Sequence, residues 1–136
     1  MSDPRYALYY CPPEGSDLYR FGCRWLGRDA VTGTALEQPA VSQISPERLE
    51  EVTRTARHYG FHGTLKPPFR LHRQATEEQL TGSLTRFAAQ LRPFTAPPLV
   101  LKNLSGFLAL QCATPSPEID TLAAACWVQR VRALAD

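Results

Sequence analysis

The four cysteines of this chain, Cys11, Cys23, Cys112 and Cys126, lack the spacing that metal or redox chemistry needs. No two form a Cys-x-x-Cys pair and none groups with histidine, so no zinc or dithiol motif is written there. They are expected to be reduced, mostly packed thiols. Long apolar runs are also missing, with no stretch near the ~18 residues that span a bilayer. The start of the chain has no basic segment followed by an apolar core, which argues against export. The expectation is a cytoplasmic protein with no membrane partner. Charge of one sign is scarce as well, because a net charge of +2 is too small to mark a nucleic-acid surface. Nucleic acid therefore stays a weakly supported partner. There is no internal repeat and no low-complexity tract.

What is present is a chain of 136 residues, enough for one domain that buries roughly two-thirds of its unfolded surface. The run RYALYYC, ending at Pro12-Pro13, suits an N-terminal strand. Ser16 can cap a helix whose apolar face is Leu18, Phe21, Trp25 and Leu26, ended by Gly27. Residues 28–44 show no sustained period and read as a surface loop, or as an active-site lid. Ser45-Pro46-Glu47 opens a second helix to about Arg57. Thr76-Glu77-Glu78-Gln79 matches a capping box, with Leu80, Leu84, Phe87, Ala88 and Leu91 facing inward on a helix ended by Pro93. Leu99 to Leu104 and Phe107 to Cys112 read as a hairpin around Ser105-Gly106. Ser116-Pro117-Glu118 starts a last helix with Ile119, Leu122, Cys126 and Leu134 along one side. This order predicts an α+β (or α/β) domain over 1–136, with a mixed sheet flanked by helices.

Between Tyr59 and Phe69 the chain reads YGFHGTLKPPF. If this is a strand, His62, Thr64 and Lys66 share one face, while Phe61, Gly63 and Leu65 share the other. An imidazole transfers protons at neutral pH, and a hydroxyl two residues along can donate a hydrogen bond to the same anion. Lys66, or backbone N–H groups freed by Gly63, could add positive potential. Together these suit phosphoryl chemistry without a metal.

The run Phe61-His62-Gly63-Thr64-Leu65 resembles the His-x-Thr-Leu motif of the 2H phosphoesterase superfamily. More narrowly, RYALYYCPPEGSDLYRFGCRWLGRDAVTG, HYGFHGTLKPPFRL and the PF…LSGFLAL stretch from Pro93 to Leu110 resemble the bacterial family DUF1045, the phosphonate-operon 2H proteins. The resemblance implies two related halves around a cleft, each with one His-x-Thr motif. One histidine serves as general base and the other as general acid, with the threonines holding phosphate and no cofactor involved. Carried over to this chain, the catalytic residues are His62 and Thr64. No second His-x-Thr occurs between Leu65 and Asp136. The chain is therefore expected to be the N-terminal portion of a longer protein. The implied function is hydrolysis of a cyclic phosphate or phosphodiester, with a link to phosphonate metabolism. The alternative is a non-catalytic phosphate- or nucleotide-binding remnant.

Four tyrosines, Tyr6, Tyr9, Tyr10 and Tyr19, could stack a nucleobase, although tyrosines at such spacing more often pack the core or its rim. Tyr10, with Lys66, is the expected contact to a small phosphorylated or nucleotide-like substrate. His58 and His62 stand four apart, a metal-ligand spacing on a helix, but Gly60 and the strand reading from Phe61 oppose that helix. His72, between Arg70 and Arg73, reads as part of a solvated basic loop. Loss of later strands would leave an unpaired edge and exposed apolar surface, so self-association is expected.

Overall fold

A computed structural model of the protein describes residues 4–128. Its elements run β1 (Tyr6–Tyr10), α1 (Asp17–Leu26), α2 (Pro46–Tyr59), β2 (Gly63–Phe69), α3 (Glu77–Ala88), β3 (Leu99–Leu104), β4 (Phe107–Cys112) and α4 (Pro117–Val128). The class is α+β, as the sequence predicts. β1 pairs with β2, and β3 pairs with β4. The chain divides into two compact units, one of residues 9–64 and the other of residues 1–8 with 65–136. The part of the last helix expected to carry Leu134 lies outside the described residues.

In the unit of residues 9–64, each helix end is written locally. Ser16 Oγ accepts from the Tyr19 N–H at 3.2 Å, and Gly27 closes α1 in the left-handed region at φ 73°, where glycine carries no Cβ penalty. Ser45 caps α2 with proline in its first turn, where a missing N–H costs nothing. The buried stripe of α1 is Tyr19, Cys23 and Leu26. This differs from the expected face, since Leu18 and Trp25 are half-buried and Phe21 is 53% exposed. Both stripes have helical spacing. The stripe with Tyr19 goes inward because its hydroxyl finds a partner, donating to Asp29 Oδ1 at 3.0 Å.

The end of α1 is tied to α2 by polar bonds. Arg57 donates through Nε to the Leu26 carbonyl at 2.7 Å and through its Nη2 nitrogen to Gln38 Oε1 at 3.2 Å. Gln38 in turn donates to the Trp25 carbonyl at 2.6 Å and to Thr53 Oγ1 at 3.0 Å. These bonds satisfy carbonyls that the end of α1 leaves open. The segment expected as a loop is irregular but ordered by Asp29, whose Oδ1 accepts from the N–H groups of Val31 at 3.0 Å and Thr32 at 2.7 Å.

In the other unit, the capping box forms as written: Thr76 Oγ1 accepts from the Gln79 N–H, and Gln79 Oε1 accepts from the Thr76 N–H. α3 ends at Ala88, before the expected stop. Gln90 and Leu91 bond to Phe87 and Ala88, three residues back, tightening the chain ahead of Pro93, whose ring disfavours helix at the preceding residue. Leu91 therefore lies beyond the helix and is 43% exposed, while Leu80 is buried at 4%. β3 and β4 form an antiparallel hairpin with Leu104 opposite Phe107. Ser105 and Gly106 take φ 54° and 92°, the paired positive values a two-residue hairpin turn requires.

All four cysteines are free, with Cys23 and Cys126 buried. Burial pushes the Cys126 thiol up, and the charge of Lys66 opposes that shift. Among the described residues no helix is long and apolar enough to cross a membrane.

Candidate functional site

The backbone places His62 before its side chain does. Gly60 caps α2 at φ 78° and ψ 175°, donating to the Ala56 carbonyl at 3.0 Å. That region of backbone space is essentially restricted to glycine, and a Cβ would also come within 3.1 Å of Ala30. Phe61 is then anchored on α1, its ring lying where a Cβ on Gly22 would sit, 2.1 Å from the ring carbon Cγ. With both neighbours fixed, His62 turns back so that Nδ1 lies 2.9 Å from the Gly60 carbonyl oxygen. A carbonyl only accepts, so Nδ1 carries the hydrogen, and the neutral ring keeps its lone pair on Nε2. The half-buried imidazole also stacks on Tyr9, with ring centroids 3.7 Å apart and planes inclined by 26°.

β2 starts at Gly63, so His62 stands just ahead of the strand rather than within it. Thr64 is exposed, and its hydroxyl makes no hydrogen bond to another described residue. Lys66, in the other unit, is 6% exposed. Its ammonium lies 4.5 Å from the Phe69 ring centroid and 5.6 Å from that of Trp127. Tyr10 is 51% exposed, and as the neighbour of Tyr9 on β1 it points to the opposite face of the strand. The tyrosine that meets His62 is Tyr9. The sequence named it only among four, because alternation separates Tyr9 from Tyr10 but does not say which strand pairs with which.

His58 lies in the last turn of α2, whereas His62 lies beyond its end. α2 ends at Tyr59, and among the described residues no three His, Cys, Asp or Glu side chains gather as a metal site would require. His72 sits in an exposed turn, where its ring accepts from the Gln74 N–H at 3.3 Å.

The arrangement offers a proton acceptor of fixed tautomer and, two residues on, an unengaged hydroxyl. A curated relative in Janthinobacterium sp. (strain Marseille), named ribose 1,5-bisphosphate phosphokinase PhnN, is 38% identical over 122 residues, covering 90% of this chain and 27% of its own length. Another with the same name, from Laribacter hongkongensis (strain HLHK9), is 35% identical over 121 residues, covering 89% and 28%. The chain thus spans just over a quarter of the length of these curated relatives. No solved structure matches it. The model of the family described as "Protein of unknown function (DUF1045)" matches residues 64–135, beginning at Thr64 and taking in just over half the chain, and the chain belongs to that family.

Proposed function

We propose that this chain is a phosphoesterase-like domain that opens a cyclic phosphate or phosphodiester by metal-independent acid–base chemistry, in the context of phosphonate metabolism. The observation that carries this reading is the bond from His62 Nδ1–H to the Gly60 carbonyl, which leaves Nε2 as the base. Water attacks phosphorus while Nε2 takes its proton, the new O–P bond forms as a ring P–O bond breaks, and the departing oxygen is protonated. The Thr64 hydroxyl donates to a phosphoryl oxygen. The resemblance to the His-x-Thr enzymes assigns that last proton to a second histidine, which does not follow His62 within a second His-x-Thr of this chain. Turnover by these residues alone is therefore expected to be slow, since each acid or base usually contributes ~10²- to 10⁴-fold.

The name shared by the relatives supports phosphate handling on a ribose. Its kinase chemistry has no sequence counterpart here, because the only lysines are Lys66 and Lys102 and neither completes a Gly-x4-Gly-Lys-Ser/Thr loop.

The test is hydrolysis of 2',3'-cyclic nucleotides and of ribose cyclic phosphates with and without a 5-phosphate. His62→Ala is expected to lower the rate about 100-fold, and Thr64→Ala to raise KM about tenfold through loss of one hydrogen bond to a charged group. Equal rates for parent and His62→Ala would end the catalytic assignment. Saturable binding without turnover would leave the binding-domain alternative in its place.

A further inference from the structure

We propose that Tyr9 is the positioning residue of His62: its ring acts as a flat wall that holds the imidazole in the one orientation where Nδ1 meets the Gly60 carbonyl and Nε2 faces the reaction. The role in turnover rests on the reading above, whereas the effect on the histidine itself does not. Two contacts define the ring. The Gly60 carbonyl lies 2.9 Å from Nδ1 and fixes which nitrogen carries the hydrogen. It does not fix the ring plane, because a hydrogen bond to a carbonyl tolerates a broad range of approach directions.

The plane is set by Tyr9. With centroids 3.7 Å apart and planes within 26°, the two rings are in face contact, and an imidazole turning about its Cβ–Cγ bond would drive an edge into the phenol. Turning by half a revolution exchanges Nδ1 with a carbon, breaks the Gly60 bond and moves Nε2 away, so a wall against rotation also guards the tautomer. Tyr9 can serve in this way because β1 pairs with β2, the strand that begins one residue after His62. The phenol hydroxyl has no assigned part, so phenylalanine should serve equally well. Tyr10, on the opposite face of β1, has no such contact with His62.

The experiment uses the chain labelled with ¹⁵N at histidine and reads the protonated nitrogen of His62 from long-range ¹H–¹⁵N correlations at a pH where the ring is neutral. Parent and Tyr9→Phe should show a single Nδ1–H form. Tyr9→Leu and Tyr9→Met, two replacements of different flexibility so that one folded protein suffices, should show both tautomers in exchange. In the same proteins kcat should fall about tenfold, part of the ~10²-fold that loss of the base itself costs, with KM unchanged and Tyr9→Phe at the parental rate. A folded Tyr9→Leu or Tyr9→Met protein that keeps the single Nδ1–H form would overturn the role of Tyr9, whatever its activity. The expected tautomer change in a protein with no turnover on any substrate would overturn the phosphoesterase reading and leave the positioning role intact.

Discussion

Among individual side chains, the Tyr19–Asp29 pair ties stability to pH at both the alkaline and the acid end. Burial first, then its hydrogen bond to Asp29, push the Tyr19 hydroxyl up from 10.0 to about 12. The folded protein holds that proton to higher pH than the unfolded chain does. The contribution of Tyr19 is thus fully present below pH 10.0 and is lost as pH rises from there toward about 12. Asp29 works in the other direction. The Thr32 N–H above all, with the Tyr19 hydroxyl and the Val31 N–H, holds its carboxyl below the usual 3.8, so its contribution is present above pH 3.8 and fades as pH falls below it. Urea unfolding followed across the alkaline interval should show stability dropping in the parent and a flatter course in Tyr19→Phe. An equally steep drop in both proteins would contradict the assignment.

Elements that are ended by local chemistry were the legible part of this fold. Ser16 and Gly27 bracket α1, Ser45-Pro46 opens α2, Thr76 and Gln79 cap α3, and Ser105-Gly106 turns β3 into β4, each through groups a few residues apart. What escaped depends on partners distant in the chain. The inward stripe of α1 turned on Asp29, ten residues on. The wall beside His62 turned on the pairing of β1 with β2. The burial of Lys66 turned on aromatic rings that include Trp127, which no strand alternation reveals. One such distant contact is open to measurement. Because the Phe61 ring occupies the space beside Gly22, Gly22→Ala should cost about 1–3 kcal/mol by overpacking. Combined with Phe61→Ala, it should cost less than the two single changes together, since contacting residues do not add. Strict additivity in thermal unfolding would show that the two do not touch.

At the scale of the whole chain, the β3–β4 hairpin presents large exposed apolar side chains. Leu101 at 66%, Phe107 at 61% and Leu108 at 59% are exposed. In the observed register Leu101 and Leu108 lie on one face and Phe107 on the other. A ladder apolar on both sides reads like a strand pair meant to be covered twice. A second copy of the chain is the expected cover, giving sedimentation coefficients that rise with concentration and that Leu101→Lys with Phe107→Glu would hold flat. Concentration-independent sedimentation of the parent would contradict this.

The functional reading depends on His62 and Thr64 receiving a phosphate group together, and a titration with inorganic phosphate followed at the His62 ring and the Thr64 amide addresses it without assuming a substrate. Saturable shifts at both residues, weakened in Thr64→Ala and absent from His72, are the expected result. Shifts no larger at His62 and Thr64 than at His72 would contradict it.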